Sequence, residues 1–311
     1  MAKITPFPRT ESPGHTIGSE LEIFLAYCRD RRGLSANTVA AYRSDLSTAA
    51  AILSVPLDQV TIADIERYLT SHQEKPSTTN RRIVSLRRFF RWAVRQDYCD
   101  RNPLDGIEAK QDDEHLPRPI HADADLQVLD GAIARAAQPY QLIFTLLRET
   151  GMRADEVLSL NVGDVVLEGG REGLRVCEAK NNRDRMVVLD SDRMKRSLRL
   201  LRSWLRDLGA QAAPTMPLFR SNRGTRVSYD ALHYQWAKLC ESVNLINRVD
   251  GNEQPRYTLH QLRHTVGSTL IRELPEQIVS RILGHRDPRS TRRYAEVTED
   301  QVRLALAQKR R

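Results

Sequence analysis

The sequence predicts a mainly α-helical protein with a small antiparallel β-sheet, divided into two domains. A length of 311 residues exceeds the usual size of one compact core, which makes two domains the expected arrangement. Apolar residues recur at helical spacing from Ile17 to about Leu104, and no strand pattern interrupts them. The period changes to two in the stretch VVLEGGREGLRVCEAKNNRDRMVVLD, where Gly-Gly and Asn-Asn mark turns between short β-rich runs.

The N-terminal part begins with an arm and continues as four or five helices. Residues 1–16 mix Pro, Thr, Ser and Gly without periodicity, so we expect a flexible arm there. Ser35 and Thr61 each precede an apolar run and are suitable helix N-caps. We expect helices over Gly18–Arg31, Ser35–Leu53, Thr61–His72 and Ser77–Gln96.

A polar, acidic segment separates the two domains. After Asn102-Pro103 the chain reads DGIEAKQDDEHLPRPIHADAD, in which two prolines lie within three residues. This composition is typical of a linker. We expect an arm over 1–16, a helical domain over 17–105, a linker over 106–120 and a second domain over 121–311.

The second domain is predicted to have helices before and after its sheet along the chain. Before the sheet, helices are expected over Ala122–Ala137, Pro139–Glu149 and Ala154–Leu160, with Gly151 ending the second of them. After Ser191, helical patterns return in MKRSLRLLRSWLRDL, DALHYQWAKLCESV, TLHQLRHTVGSTLIREL and PEQIVSRIL.

The charge of the chain favours a polyanionic partner. Lys and Arg total 48 against 40 for Asp and Glu, a net charge of +8. One helical segment, Arg81–Arg95, carries six arginines and no acid, whereas an ordinary solvated face would intersperse acids. We therefore predict DNA-phosphate contacts from these arginines. They are Arg81, Arg82, Arg87, Arg88, Arg91 and Arg95.

Cysteine spacing and hydropathy predict a cytoplasmic protein. Cys28, Cys99, Cys177 and Cys240 lie more than sixty positions apart, which excludes paired metal-ligand spacings and suggests buried thiols in a reducing compartment. The first residues lack the apolar core of a signal peptide, and no later stretch approaches the ~20 apolar residues that span a bilayer.

Several polar residues are candidates for chemistry, although each alone has an ordinary surface explanation. Arg153 follows a helix-stopping glycine in ETGMRADEVLSL, and Glu156 lies one turn later and could hold it. Lys180 lies near the predicted hairpin tip. Thr258-Leu-His-Gln fits a capping box, which places His260 and Arg263 as neighbours in the first turns of a helix, on the flank of its apolar stripe.

The stretch LGHRDPRSTRRY completes this set. Gly284 can end the preceding helix by a left-handed cap and leave His285 just beyond it, and Tyr294 follows among arginines. Arg153, Lys180, His260-x-x-Arg263, His285 and Tyr294, in this order, resemble the tyrosine recombinase (phage integrase) family. The N-terminal segments SANTVAAYRSDL and TTNRRIVSLRRFFRWAV resemble its core-binding, SAM-like DNA-binding domain, so the resemblance covers most of the chain.

The resemblance implies an α+β catalytic domain that breaks and rejoins DNA without metal, cofactor or ATP. Tyr294 would attack a phosphodiester and form a 3′-phosphotyrosyl bond, and Lys180 would protonate the departing 5′-oxygen. Arg153 and Arg263 would stabilise the charge on the phosphate, with Glu156 in support. His260 and His285 would orient the phosphate and manage protons. One departure concerns Lys180, because Ala179 and Asn181 stand where family members often have glycine.

The implied partners are double-stranded DNA recombination sites, a homotetramer in the synaptic complex and accessory proteins in some settings. The C-terminal run EDQVRLALAQKRR has apolar residues at helical spacing and could dock on a neighbouring subunit or pack within its own. Two alternatives stay open from the residues: a type IB topoisomerase-like relaxing enzyme, and a noncatalytic DNA-binding regulator on the same fold. A metal-dependent transposase is less suitable, since no carboxylate constellation for paired Mg²⁺ is evident.

Overall fold

The fold class predicted from the sequence is confirmed. A computed structural model describes residues 14–71, 74–109, 118–178, 183–209, 212–249 and 251–284. The chain divides into two compact units, Met1–His115 and Leu116–Arg311. Among the residues in these described ranges, no helix combines the length and apolarity that a membrane crossing requires.

The N-terminal unit is helical, and its helices fall where the periodicity placed them. They are α1 (Ile17–Ala26), which continues into a π-helical turn (Tyr27–Arg31), α2 (Ala36–Ile52), α3 (Ile62–Thr70) and α4 (Pro76–Arg95). The side chains of Ser35 and Thr61 accept hydrogen bonds from the first turns of α2 and α3, so both predicted N-caps form.

Aromatic side chains dominate the core of this unit. Phe24 of α1 lies 5.3 Å from Phe89 and 5.4 Å from Trp92 of α4 between ring centroids. Both α4 rings lie on one face of that helix, whose buried residues recur at helical spacing. The exposed side chains of α4 include four of its arginines, Arg81, Arg88, Arg91 and Arg95. The apolar stripe thus determines which arginines of α4 point outward.

The C-terminal unit packs helices and a small sheet around a hydrophobic core. Its helices are α5 (Asp123–Arg135), α6 (Tyr140–Thr150), α7 (Ala154–Ser159), α8 (Lys195–Leu208), α9 (Tyr229–Ser242), α10 (Leu259–Glu273) and α11 (Glu276–Leu283), with a 3₁₀ turn over Val162–Asp164. Its strands are β1 (Val165–Val166), β2 (Gly173–Glu178), β3 (Arg183–Val188), β4 (Ile246–Val249) and β5 (Asn252–Pro255).

The predicted antiparallel sheet has the order β1-β2-β3. The β2–β3 hairpin pairs Gly173 with Val188 at its base and Glu178 with Arg183 near its tip. Leu174, Val176 and Val187 are buried, so this sheet packs one face onto the core of the unit.

A second antiparallel hairpin, β4–β5, was not predicted from the sequence. Its strands, INRV and NEQP, are mostly exposed and therefore show no alternation of apolar and polar residues. The signal that could have found it is the Asp250-Gly251 pair between the strands, a favoured hairpin dipeptide, with Gly251 at a φ of +79°.

The expectation of four buried thiols is wrong at one position. Cys28, Cys99 and Cys240 are buried, whereas Cys177 is exposed. Cys177 lies on β2 between the buried Val176 and the strand end, so strand alternation turns it outward. None of the four is in a disulfide.

The ends of α6 and α11 meet beside α10. Gly151 ends α6 with a φ of +66°, and Gly284 ends α11 with the same φ. A Cβ added at Gly151 would lie 2.9 Å from Leu283 and 3.0 Å from Val266, so only glycine fits this close approach. This junction positions the candidate site.

Candidate active site

Arg153 lies just past the end of α6, where the chain reverses into α7. The left-handed backbone at Gly151 turns the chain, and Arg153 occupies the N-cap position of α7 in extended conformation. Its side chain is 42% exposed. The break between two helices therefore directs this guanidinium to the surface instead of along a helix flank.

Glu156, one turn into α7, is a largely buried carboxylate with four donors. Its Oε1 accepts from Nη1 of Arg153 (2.9 Å) and Nη1 of Arg185 (3.0 Å). Its Oε2 accepts from the backbone N–H of Arg153 (2.9 Å) and from Nη2 of Arg185 (2.9 Å). The expected pairing of Glu156 with Arg153 is therefore present in the structure, with a second guanidinium that was not expected.

The charge on Glu156 is stabilised chiefly by Arg185. Burial raises the pKa of this carboxyl. The hydrogen bonds and charge of Arg185, and after them those of Arg153, lower the pKa by more than burial raises it, so the pKa lies below its ordinary value. Glu156 is consequently ionised at neutral pH. We name Arg153, Glu156 and Arg185 the Glu156 cluster.

Arg263 is buried, contrary to the expectation that it lies on the flank of α10. Only 3% of the residue is exposed. Its Nη1 donates to the carbonyl of Gly151 and its Nη2 to the carbonyl of Leu283, both at 2.7 Å. The spacing of Leu259, Leu262, Arg263 and Val266 is i, i+3, i+4, i+7, which places Arg263 within the buried stripe of the helix. That spacing was the overlooked signal.

His260 lies exposed one turn before Arg263. Partial desolvation of its ring lowers its pKa, and the positive charges of Arg263 and Arg153 lower it further. Its ring contacts that of His264 edge to face, with centroids 4.5 Å apart. Burial, His260 and Arg263 lower the pKa of His264 to about 4. Both imidazoles are therefore neutral at pH 7.

The end of α11 belongs to the same site. The carbonyl of Gly284 accepts a hydrogen bond from Nη1 of Arg153 at 3.3 Å. The structure thus brings Arg153, Glu156, His260 and Arg263 together from α7 and α10 at this helix end. Three predicted site residues lie outside the described residues: Lys180, His285 and Tyr294.

Sequence reasoning assigned no role to Arg185. Its side chain is 17% exposed, and it pairs across the hairpin with Val176. The available signal was a basic residue at a position of β3 that faces the core. That signal does not identify the partner, Glu156, which lies 29 positions away.

Three of the six arginines predicted to contact DNA have partners within the N-terminal unit. Arg81 pairs with the buried Asp45 (2.7 Å), and Arg82, itself only 11% exposed, pairs with Glu74 (2.7 Å). Arg87 donates to the carbonyls of Leu104 and Ile107, which ties the segment after α4 to that helix. These contacts give the three side chains structural roles.

The other three arginines share a cavity with a residue that was not singled out. Arg88, Arg91 and Arg95 line a cavity of about 170 Å³ together with Arg32, which follows the π-helical turn. The remaining lining side chains are aromatic or thiol groups, and no acid is among the cavity's lining residues as described. Arg88 and Arg32 also partly offset the rise that burial causes in the pKa of Cys28. We name these four the α4 cluster.

Within the described ranges, no group of three or more His, Cys, Asp or Glu side chains is arranged to hold a metal ion. The positive charges among the described site residues are instead those of guanidinium groups. Such groups donate fixed, directional hydrogen bonds to phosphate oxygens and keep their proton at any physiological pH.

Comparisons with known proteins show the family of the chain. The phage integrase family model matches residues 124–301, and the N-terminal SAM-like domain of phage integrases matches residues 21–97. The chain is 28% identical to tyrosine recombinase XerC of Alcanivorax borkumensis over 91% of both chains. It is 26% identical to tyrosine recombinase XerD of Staphylococcus saprophyticus over 91% of this chain and 95% of that one.

Solved structures share the fold. The XerH site-specific recombinase bound to palindromic difH substrate aligns with a TM-score of 0.69 at 19% identity, covering 93% of this chain and 84% of that one. A lambda integrase tetramer bound to a Holliday junction aligns with a TM-score of 0.67 at 16% identity, covering 91% and 83%. With a family model matched over more than half of its length, the chain belongs to the phage integrase family.

Proposed function

We propose that this chain is a site-specific DNA recombinase that cleaves and rejoins DNA through a covalent bond to Tyr294. The observation that carries the proposal is the convergence of Arg153, His260 and Arg263 on the end of α11, from which the chain continues to His285 and Tyr294. The relatives named above are recombinases, which favours this function over topoisomerase-like relaxation or noncatalytic regulation.

The reaction exchanges one phosphoester for another. The oxygen of Tyr294 forms a bond to the 3′-phosphate while the bond from phosphorus to the 5′-oxygen breaks. The tyrosyl proton passes to a base or to water, and Lys180 supplies a proton to the departing 5′-oxygen. A phenol has a pKa of about 10, so the phosphotyrosyl ester is also a reasonable leaving group, and religation needs no ATP.

Arg153 is the better placed of the two arginines to contact a phosphate. Its exposed guanidinium is oriented by Glu156 before DNA arrives, so charge that develops on the nonbridging oxygens meets a fixed donor. Arg263 holds the helix ends behind it and adds positive charge. A direct contact of Arg263 with phosphate stays a prediction.

The neutral state of His260 suits proton handling. Because burial and nearby guanidinium charges lower its pKa, the imidazole has one nitrogen free of a proton at pH 7. It can accept a proton as the phosphate is attacked, or orient the phosphate through its N–H. His285 would act on the same phosphate from the segment that follows α11.

The N-terminal domain, taken as residues 17–105 after the arm over 1–16, would bind the duplex of a recombination site. The linker over 106–120 would join it to the catalytic domain over 121–311. The α4 cluster is the part of the helical domain we assign to phosphate contacts, since its arginines have no acidic residue among the neighbours that line their cavity. Action on chromosomal DNA would place the protein in the cytoplasm.

A synaptic tetramer follows from the chemistry. One tyrosine per protomer cuts one strand, and exchange between two duplexes requires four cuts.

A cavity of about 800 Å³ in the C-terminal unit has apolar side chains from β3, α10 and α11 in its lining, among them Val188, Leu270 and Ile278. We assign it as the acceptor of the apolar C-terminal run of a second protomer. Deletion after Thr298 should then weaken assembly on paired sites, and unchanged tetramers would contradict this assignment.

The central experiment is Tyr294→Phe. This variant should bind a cognate site as tightly as the unaltered protein, yet form no covalent protein–DNA adduct on a nicked suicide substrate. An undiminished adduct would refute the assignment of the nucleophile.

Mapping the cleavage positions on DNA beside the native gene would give the core site. Relaxation of plasmid that lacks this site would favour a topoisomerase instead.

A further inference from the structure

Arg185 makes two hydrogen bonds within the site, although no role in the reaction is assigned to it. Both of its terminal nitrogens donate to Glu156, at 3.0 and 2.9 Å, in a parallel two-bond arrangement. Glu156 is 12% exposed and holds Arg153 with the same two oxygens. The conformation of the phosphate-binding arginine therefore depends on a carboxylate whose stronger partner is Arg185.

Arg185 also joins the β-hairpin to this carboxylate. It lies in β3 opposite Val176 of β2, two positions along the strand from the last pair, Glu178 with Arg183. Lys180 belongs to the four-residue connection between those strands, residues 179–182. Within the described residues, Arg185 is the side chain of this hairpin that bonds to Glu156, so it sets the distance between the hairpin and Arg153.

The end of α11 is the third part that Arg185 touches. A Cβ added at Gly284 would lie 2.5 Å from Nε and 2.6 Å from Cζ of Arg185, so the guanidinium packs directly on this glycine. The carbonyl of Gly284 also accepts a hydrogen bond from Arg153. The helix end that leads to His285 therefore contacts both arginines.

The Nε of Arg185 is buried and lacks a hydrogen-bond partner within the described residues. A buried N–H without a partner has lost its water without a replacement, which is unfavourable. The side chain thus takes a position in which its two terminal nitrogens bond to Glu156 and its guanidinium packs on Gly284, while its Nε–H is left without a partner among the described residues. Lysine could not reproduce it, because an ammonium has no planar fork for two parallel bonds.

We propose that Arg185 is a positioning residue that, through Glu156, aligns the hairpin carrying Lys180 with the phosphate held by Arg153. This proposal rests on the proposed function, because it assumes that Lys180 protonates the 5′-oxygen. Loss of Arg185 would leave DNA bound but would separate the leaving-group proton donor from the phosphate. A displacement of about 1 Å at such a site can lower a rate roughly 100-fold.

The test is single-turnover cleavage of a nicked suicide substrate by Arg185→Lys at saturating DNA. The expected result is a rate about 100-fold below that of the unaltered protein with unchanged DNA affinity. The matched control is Arg175→Lys, an exposed arginine on the neighbouring strand, which should cleave at the normal rate. A normal rate for Arg185→Lys would overturn the proposal.

A substrate with sulfur in place of the bridging 5′-oxygen separates alignment from general damage. A thiol has a pKa of about 8.5, so the thiolate leaves without a proton donor. On this substrate the deficit of Arg185→Lys should shrink at least about tenfold, as it should for Lys180→Ala. An equal deficit on both substrates would mean that Arg185 does not align the proton donor, and would overturn the proposal.

A double variant tests whether Arg185 acts through Glu156. Glu156→Gln removes the charge and keeps the shape, and if Arg185 acts through Glu156, then Arg185→Lys/Glu156→Gln should be no slower than the slower single variant. If the rate losses of the two single variants multiply in the double variant, the residues act independently, and the proposal that Arg185 acts through Glu156 is overturned. If the unaltered protein forms no adduct at all, the proposed function fails; if it does and the Arg185 variant matches it, the present inference alone fails.

Discussion

The two arginine clusters of this chain are built in different ways. The α4 cluster surrounds a cavity without an acidic residue in its described lining, and its guanidinium groups concentrate positive charge around that cavity. The Glu156 cluster holds two guanidinium groups on one largely buried carboxylate with three hydrogen bonds, and the backbone N–H of Arg153 donates a fourth. The same residue type is thus used once for charge and once for geometry.

The difference teaches which property each cluster contributes. Charge without fixed geometry attracts a polyanion through release of its counterions, and its effect depends on salt. Donors that are oriented before the substrate arrives stabilise a transition state, and their effect appears in the rate. Substitutions in the two clusters should therefore change different measurements. The first and last of four predictions test this separation, and the other two test the backbone and the histidine beside the Glu156 cluster.

The largest effect is expected at Arg153. Arg153→Ala should lower the single-turnover cleavage rate by about 100- to 1,000-fold, the usual loss for one oriented donor to a developing oxyanion. DNA affinity at fixed salt should change little, because the many phosphate contacts of the duplex remain. Gel-shift titration beside adduct formation measures both. A variant that lost affinity and kept its rate would break the comparison.

The next effect concerns the backbone under the site. Gly151→Ala should destabilise the protein by about 2–3 kcal/mol, because it combines left-handed strain with a close approach to Leu283 and Val266. The matched control is Gly224→Ala, which has a φ of +79° but open space around it, and should cost only about 1–2 kcal/mol. Urea unfolding measures both, and equal losses would mean that packing at Gly151 adds nothing.

The third effect is a pH dependence. The pKa of His264 is lowered from 6.5 to about 4 in the folded protein, so the unfolded chain binds its proton first as pH falls. The stability contributed by the neutral ring is complete above about pH 6.5 and is lost between there and about pH 4, on the order of 2 kcal/mol. The urea midpoint for unfolding of His264→Gln should therefore depend less on pH across this window. An unchanged slope would show that another group carries it.

The smallest effect is expected in the α4 cluster. Arg91→Ala and Arg95→Ala should each make the dependence of log K on log salt shallower by about one, with little change in the cleavage rate at saturating DNA. Arg87→Ala is the control, since it holds two backbone carbonyls and should lower the melting temperature instead. A normal salt slope for Arg91→Ala would remove the α4 cluster from the DNA interface.

Much of the fold was predictable because its signals are local. Ser35 and Thr61 cap the helices they were expected to cap, and Gly151 and Gly284 end theirs in the left-handed conformation. The β4–β5 hairpin escaped because exposed strands carry no alternation. Local signals thus account for helices and their ends, and fail where an element has no buried face.

The site was predictable in part. The contact of Arg153 with Glu156 spans one helical turn, so spacing alone indicated it. The bond of Arg185 to Glu156 spans 29 positions and two elements, and sequence spacing carries no information about it. Likewise, an arginine on α4 looks the same in sequence whether it meets Asp45, a carbonyl or solvent. The tertiary fold decides these cases.

Arg263 joins two points of the chain that are far apart in sequence. One guanidinium terminates both α6 and α11, and the carbonyls it holds belong to Gly151 and Leu283. A shift of either helix end must stretch a bond to the other. The loop that presents Arg153 and the end of α11 are therefore fixed by the same side chain, so a shift of one would displace the other without any change in the residues that we propose to contact DNA.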